Sequence, residues 1–247
     1  MILTYPKLET LYDRNEVYQV DIAKVRRKEY LNIRQWHVTE KIDGTNIRVG
    51  LHGDGSIEFG GKTDDAQIPG PLLRFLAEKL TPQVMQAAFS QDPETKLWPE
   101  AIVFGEGYGR GIGKHGAIYQ GNQEVSFIIF DVVVDGWWLS RANVADVARK
   151  LMLPLTVPEV RIIDTLPRSE ADLDEILGNS GDSSLARHFS QVMKAEGIVA
   201  RPDPLLFYRD GDPPQWKPLM WKLKYKDFRP GKKPKPPKVA ATTEEVS

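Results

Sequence analysis

The fold of this chain is indicated first by one stretch, Glu40–Arg48, which reads EKIDGTNIR. From Asn46 onward polar and apolar residues alternate, which is typical of a strand with one polar face and places Asn46 and Arg48 on that face. The Asp-Gly pair at 43–44 has the chemistry of a tight turn. Lys41 is therefore expected at a strand end, where its amine can point into a pocket. Since most lysines are solvated instead, the rest of the chain has to decide between these interpretations.

The composition is that of a soluble globular protein, and it excludes several kinds of site. The 247 residues suffice for one large domain or two small ones, and 41% of them are hydrophobic. The formal net charge of -1 provides no overall basic field, so nucleic acid would have to bind a local patch. There is no cysteine, which excludes disulfides and thiolate chemistry and favours a cytoplasmic location. No apolar run is long enough to cross a membrane.

Strand-like and helix-like runs alternate along the remainder of the chain. Ala101–Gly105 is predicted as a buried strand that leads to Glu106. Residues 125–134 are the most strand-like run, which predicts a central position in a sheet. Asp131 interrupts this run, and we interpret it as a buried hydrogen-bond acceptor rather than a metal ligand. Residues 183–195 are predicted as a single helix.

Two further segments are locally basic. Residues 107–116 read GYGRGIGKHG and lack the P-loop pattern, so either a flexible surface loop or a binding loop explains them. Residues 221–226 alternate apolar side chains with lysines, which predicts a strand with a basic face or an exposed edge protected by lysines. We predict an ordered domain over 1–228 and a disordered, Lys- and Pro-rich tail over 229–247.

Five motifs follow one another in a fixed order along the chain. They are Lys41-Ile42-Asp43-Gly44, Phe104-Gly105-Glu106, Phe130-Asp131, Glu196-Gly197-Ile198-Val199 and Lys222-Leu223-Lys224. Together they resemble the nucleotidyltransferase motifs of the covalent superfamily of ATP-dependent RNA and DNA ligases and mRNA capping enzymes, over about residues 36–226. Three details look more like RNA ligases: Thr45-Asn46 after the Asp-Gly pair, the corner Gly60–Pro69, and Glu106–Gly109. DNA ligases usually carry an arginine at the position of Asn46.

The resemblance implies an α+β fold. We expect an antiparallel two-sheet nucleotidyltransferase core of the ATP-grasp-like ligase adenylation type, with peripheral helices. No C-terminal OB-fold is expected, because only about twenty residues follow the last lysine motif, too few for such a domain. A partner protein is then one possible source of recognition of the strand ends.

The resemblance also implies roles for particular residues. Lys41 would be the nucleophile that becomes adenylated, Phe130 would stack on adenine, and Glu40 would contact its exocyclic amine. The predicted catalytic residues are Lys41, Lys222 and Lys224. The predicted ATP-binding residues are Glu40, Lys41, Asn46, Arg48, Glu106, Phe130, Lys222 and Lys224. The predicted ligands of Mg²⁺ or Mn²⁺, largely through water, are Asp43, Glu106 and Glu196. The predicted nucleic-acid contacts are Arg110, Lys114 and His115.

The implied enzyme is an ATP-dependent RNA ligase of the kind used in RNA repair. A lysine amine attacks the α-phosphate of ATP only when it is unprotonated, and Lys222 and Lys224 can favour that state while they bind the phosphate. AMP then passes to a 5′-phosphate, and a 3′-hydroxyl displaces it to join the strands. RNA is the preferred partner and DNA remains possible. The alternatives are a minimal DNA ligase, an enzyme that adenylates another phosphate, and a nucleic-acid-binding protein without turnover.

Overall fold

The computed structural model describes residues 2–119, 124–153, 156–157 and 159–232. The strands are β1 (Glu9–Thr10), β2 (Tyr12–Arg14), β3 (Val20–Val25), β4 (Trp36–Glu40), β5 (Thr45–Leu51), β6 (Ile57–Gly60), β7 (Ala101–Gly109), β8 (Val125–Val134), β9 (Trp137–Trp138), β10 (Glu159–Ile163), β11 (Gly197–Arg201), β12 (Phe207–Asp210), β13 (Gln215–Pro218) and β14 (Trp221–Lys224). The α-helices are α1 (Gly70–Lys79), α2 (Pro82–Ala88), α3 (Gly116–Tyr119), α4 (Arg141–Lys150), α5 (Glu170–Ile176) and α6 (Ser184–His188). Short 3-10 helices cover Lys28–Asn32 and Tyr225–Phe228.

The first large sheet brings three of the sequence motifs together. Its strand order is β1-β14-β11-β4-β10, and every pair is antiparallel except β1 with β14. The end of β4 lies beside the start of β11, and Lys41 N donates to the Gly197 carbonyl at 2.9 Å. On the other side of β11, Val199 pairs with Lys222 and Gly197 with Lys224. Residues far apart in sequence therefore meet at one end of this sheet.

The second large sheet carries the remaining motifs. Its order is β6-β5-β7-β8-β9, and all of its neighbouring strands are antiparallel. Asn46 in β5 lies opposite Glu106 in β7. The Lys41–Gly44 segment connects the two sheets, and only glycine fits at position 44, because an added Cβ would collide with the Gly107 carbonyl. This close approach keeps Lys41 near the junction of the sheets.

Helices cover the second sheet, and a separate core forms around the first. Leu72 and Leu76 share the buried face of α1 and pack with α2 and α4 against the second sheet. The first sheet packs around Trp36 and Trp221, whose rings lie 5.5 Å apart, together with α5. A smaller cluster that includes Ile42 lies around Tyr108 and Tyr119. These cores hold the two sheets that position the predicted motifs.

The structure confirms the α+β class with antiparallel sheets and corrects one helix. Residues 125–134 form a strand, β8, although β7 occupies the middle of its sheet. The predicted helix 183–195 was wrong, because α6 ends at His188 and Ser190 takes a left-handed conformation with φ of 57°. The chain then turns back, so that Ser183 N donates to the Met193 carbonyl at 2.8 Å.

Residues 233–247 of the predicted tail 229–247 lie outside the described residues. No helix in the described part of the chain has the length and apolar character that crossing a membrane requires.

Candidate active site

A cavity of about 340 Å³ is lined by residues of both large sheets. Its polar side includes the predicted nucleophile and several other cations and carboxylates. They are Lys7, Glu40, Lys41, Lys62, Glu106, Lys222 and Lys224. Its apolar side includes Tyr5, Ile42, Phe130, Val157, Val199 and Met220. A cavity of this size, with a few converging polar groups on apolar walls, is typical of a small-molecule site.

Lys41 is held by the carboxylate of Glu196, the residue just before β11. Its Nζ lies 2.7 Å from Oε2 of Glu196 and 3.3 Å from the carbonyl oxygen of Ile42. The other carboxylate oxygen of Glu196 accepts a hydrogen bond from Lys224. Burial by itself raises the pKa of Glu196, but Lys41 and Lys224 outweigh it, so that the pKa lies below its usual value. Glu196 is therefore an ionised bridge between two lysines.

Lys222 lies among other cations. Burial, followed by the charges of Lys224, Lys41 and Lys62, lowers the pKa of Lys222 to about 8. Neither Lys222 nor Lys62 forms an ion pair with a carboxylate in the described part of the chain. A polyphosphate in this cavity would supply the negative charge that Lys62 and Lys222 lack.

Glu106 and Asp43 place negative charge at the same site. Burial raises the pKa of Glu106 to about 7; the charge of Lys41 opposes this rise, and those of Glu196 and Asp43 add to it. Asp43 Oδ2 accepts from the His115 backbone N at 3.1 Å and lies 2.9 Å from His115 Nδ1. The excess charge at Glu106 and the oxygen ligands suit a hard divalent cation.

The predicted metal ligands do not form a closed cluster. Within the described ranges, no three His, Asp or Glu side chains converge closely enough to hold a metal directly. Asp43 is engaged by His115, and Glu196 is engaged by two lysines. The water-mediated binding of a cation and the three metal roles stay predictions.

Glu40 presents one free carboxylate oxygen. Its Oε2 accepts from Ser184 N at 2.8 Å, Ser184 Oγ at 2.7 Å and Leu185 N at 3.2 Å. Its Oε1 is buried and has no partner in the described part of the chain. The amide oxygen of Asn46 is also buried and has no partner in that part of the chain. Because an unpaired buried acceptor is costly, these two oxygens are suited to a ligand that donates hydrogen bonds.

Comparison with known proteins shows the family. A family model described as RNA ligase matches residues 34–213. This chain belongs to the RNA ligase family. No curated protein matches this family member at a significant level.

Solved structures of an RNA ligase from Naegleria gruberi resemble this family member in fold. One point mutant with ATP and Mn has 14% identity and a TM-score of 0.51, and the match covers 80% of this chain and 54% of that one. A second mutant with ATP and Mn has 15% identity and a TM-score of 0.53, covering 81% and 52%. A third mutant, in the apo form, has 16% identity and a TM-score of 0.51, covering 80% and 53%. The chain thus spans about half the length of the structures that it matches.

Arg48 does not lie where its predicted role in ATP binding requires. Its guanidinium is buried and donates to the carbonyls of Gly61 at 2.8 Å and Ile2 at 2.6 Å. It also pairs with Asp64 at 2.5 Å. Arg48 does not line the cavity, so the prediction is corrected: in this RNA ligase family member the arginine fastens the strand to neighbouring loops.

Asp131 has the structural role that its sequence context suggested. It is buried and accepts hydrogen bonds from Arg201 and from the Tyr5 hydroxyl, the latter at 2.7 Å. Burial raises the pKa of Tyr5 well above its usual value, and Asp131 adds to the shift. Arg141 also reaches this region, because it donates to the Phe130 and Val157 carbonyls, each at 2.8 Å.

The predicted nucleic-acid residues lie on the loop after β7. Arg110 and Lys114 are exposed, whereas His115 contacts Asp43. None of the three lines the cavity, and their role stays a prediction.

Sequence reasoning assigned no role to several cavity residues: Tyr5, Lys7, Lys62, Arg141 and Arg201. For Lys62 a signal was present, since it stands in the corner that resembled RNA ligases. The other positions carry no motif, and only the tertiary structure brings them to the cavity.

Proposed function

We propose that this protein is an ATP-dependent RNA ligase that works through a covalent lysyl-AMP on Lys41. The observation that carries the proposal is the position of Lys41. Its amine lies on the cavity within 2.7 Å of Glu196, and Lys222 and Lys224 line the same cavity. A positioned lysine surrounded by phosphate-binding cations is what nucleophilic attack on a nucleotide requires.

The cavity supports a particular orientation of ATP. The unpaired Oε1 of Glu40 can accept a hydrogen bond from the exocyclic amine of adenine, as the motif resemblance implied. Phe130 lies on the apolar side of the cavity and is supported by the ring of Tyr5, 4.8 Å away, so it offers a face for stacking. Lys62, Lys222 and Lys224 then meet the phosphates.

The first step forms a nitrogen–phosphorus bond. The unprotonated Nζ of Lys41 attacks the α-phosphorus, and the bond from that phosphorus to the bridging oxygen breaks, which releases pyrophosphate. Glu196 orients the amine, but its lowered pKa makes it a hydrogen-bond partner rather than a lasting proton acceptor. Solvent therefore takes the proton. A divalent cation held by Asp43, Glu106 and Glu196 would neutralise phosphate charge when bound.

Two transfers complete the proposed reaction. An oxygen of a 5′-phosphate attacks the phosphorus of lysyl-AMP, and the nitrogen–phosphorus bond breaks, so that Lys41 recovers its amine. A 3′-hydroxyl then attacks the activated 5′-phosphate and expels AMP, which forms the phosphodiester. The lysines of the cavity hold the charge that develops on the transferring phosphoryl group.

Intact-protein mass spectrometry tests the covalent step. Protein freed of carried AMP with pyrophosphate is incubated with ATP and Mg²⁺ or Mn²⁺. We expect a gain of one AMP, about 329 Da from its chemical formula, in the wild type and none in Lys41→Ala. Lys79→Ala, an exposed lysine at the end of α1, is the matched control and should gain AMP. No gain in the wild type would refute the proposed mechanism.

RNA is the proposed substrate, and a minimal DNA ligase is the alternative. The membership of the RNA ligase family favours RNA. Sealing of matched RNA, DNA and hybrid strands by the full chain distinguishes them, and preferential sealing of DNA would replace the proposal. Addition of candidate partner proteins to the same assay tests whether recognition of the ends is supplied from outside the chain.

A further inference from the structure

A second concavity, of about 1000 Å³, opens beside the cavity that holds Lys41. Its walls are the N-terminal segment 3–14 and the β12–β13 hairpin, and residues in and around β3, in β14 and in the following 3-10 helix complete the lining. We call it the hairpin groove. It shares with the cavity the residues Pro6, Lys7, Leu8, Met220, Lys222 and Lys224. A molecule in the groove would therefore reach the reacting lysine without leaving the protein surface.

The hairpin groove has an excess of positive charge. Each of its acidic residues is paired with an arginine: Glu9 with Arg27, Asp13 with Arg26 and Asp227 with Arg14. In contrast, Lys7, Lys222 and Lys226 have no ion pair with any carboxylate in the described ranges. A protein of net charge -1 thus concentrates uncompensated cations along one groove, which suits a polyanion.

The hairpin also presents an exposed aromatic ring. Trp216 in β13 is 69% exposed, and the guanidinium carbon of Arg209 lies 5.7 Å from its ring centroid. The hairpin is anchored to the rest of the groove by Arg27, which lies 4.1 Å over the Tyr208 ring and 3.3 Å from Asp210. An exposed indole on an anchored hairpin, beside unpaired lysines, matches the way single-stranded nucleic acids are bound.

We infer that the hairpin groove binds one strand of the RNA substrate and directs its end to Lys41. Trp216 stacks on a base, while Lys226 and Lys7 contact backbone phosphates. This inference rests on the proposed function, and it places strand binding on the hairpin rather than on the loop of Arg110 and Lys114. Stacking tolerates any base, so the groove binds without sequence preference.

The test measures binding separately from chemistry. Fluorescence anisotropy of a labelled, 5′-phosphorylated single-stranded RNA is recorded with the full chain in the absence of ATP. We expect Trp216→Ala to weaken binding by about 5- to 150-fold, which is the usual effect of losing one stacked base. We expect Lys226→Gln to reduce the slope of log affinity against log salt by about 1. The matched controls are Trp137→Ala, whose ring is 79% exposed outside the groove, and Lys79→Gln.

The outcomes separate this inference from the proposed function. Unchanged RNA affinity in Trp216→Ala and Lys226→Gln would overturn it, as would a wild type that does not bind the strand. Loss of binding confined to Arg110→Gln and Lys114→Gln would assign the strand to the other loop. The two groove variants, Trp216→Ala and Lys226→Gln, should still gain AMP from ATP. A wild type that binds RNA through Trp216 but never gains AMP would refute the ligase mechanism and leave the groove assignment standing.

Discussion

Lys41 Nζ and Glu196 Oε2 lie 2.7 Å apart, although 155 residues separate them in the chain. Glu196 also holds Lys224, so that one carboxylate sets the positions of two lysines. We expect Glu196→Gln to slow formation of lysyl-AMP about 100-fold, because a small displacement of a nucleophile has an effect of this size. Single-turnover mass spectrometry measures the rate. A wild-type rate in this variant would show that Glu196 does not position the amine.

Replacement of Glu40 by glutamine should change the choice of nucleotide. Three donors from Ser184 and Leu185 converge on Oε2, so the amide oxygen of Glu40→Gln will take that place and turn its NH₂ group toward the cavity. The NH₂ group of the variant then faces the exocyclic amine of adenine, and both groups are hydrogen-bond donors. We expect the KM for ATP to rise about 5- to 150-fold, and the preference for ATP over GTP to fall, since guanine presents an acceptor there.

Ser184→Ala is the control for this prediction. It removes one of the donors to Oε2 and leaves Oε1 as an acceptor. Nucleotide preference should therefore stay with ATP. If Glu40→Gln and Ser184→Ala behave alike, Glu40 does not contact the base.

Glu106→Gln should stabilise the protein without ligands, and the gain should depend on pH. The pKa of Glu106 is raised from 4.5 to about 7. Its protonation therefore stabilises the folded state fully below about pH 4.5, and this stabilisation is lost as the pH rises through about 7. At pH 8 the neutral variant should be more stable by up to about 3 kcal/mol, and at pH 5 the difference should be small.

Thermal or urea unfolding at both pH values measures this difference. Mg²⁺ should reduce the difference in stability between the wild type and Glu106→Gln at pH 8. A bound cation compensates the negative charge of Glu106 in the wild type, whereas the variant has no charge at this position. Equal stabilities at pH 8 without metal would contradict the excess of negative charge that we assign to Glu106.

Lys62 should contribute to the lowered pKa of Lys222. The charges of Lys224, Lys41 and Lys62 add to burial in lowering the pKa of Lys222 to about 8. If the charge of Lys222 binds phosphate, adenylation should decline as the pH rises above about 8. Lys62→Gln removes one repulsion, which raises the pKa of Lys222, so the alkaline limb of the profile should move to higher pH. The normalised pH–rate profile is the measurement, and an unmoved limb would exclude this coupling.

Arg48→Met should affect stability and not nucleotide binding. The change leaves the carbonyls of Gly61 and Ile2 without their donor and removes the partner of Asp64. We expect a loss of about 3–5 kcal/mol in the free energy of unfolding, as for other broken buried interactions. The KM for ATP of the folded fraction should stay at the wild-type value. A large rise in KM at unchanged stability would restore Arg48 as an ATP ligand.

Local sequence patterns predicted much of the fold around the site. The alternation from Asn46 onward predicted β5, and the strand-like run over residues 125–134 predicted β8. Such patterns depend on residues close together in the chain, so they can be recognised from the sequence alone.

The sequence predictions failed where contacts between residues far apart in the chain determine the structure. Alternation correctly placed Asn46 and Arg48 on one face of β5, but it does not show which loops cover that face. Residues 2 and 61 cover Arg48 and remove it from the cavity. Tyr5 reaches the cavity because it bonds to Asp131, 126 residues away, and no short pattern records such a contact. The helix over 183–195 failed because Ser190 adopts a positive φ that periodicity does not anticipate.

The ion pair of Asp131 and Arg201 has a consequence for the way nucleotides enter and leave. Asp131 belongs to β8 in one large sheet and Arg201 to β11 in the other, and each side chain is only 5% exposed. Separating the two sheets would break this pair together with the hydrogen bonds from Tyr5 to Asp131 and from Arg201 to the Leu139 carbonyl, and these losses oppose separation. The pair therefore holds the two sheets together at the wall of the cavity. We expect ATP to enter and AMP to depart through the mouth, with the two halves of the protein staying joined throughout turnover.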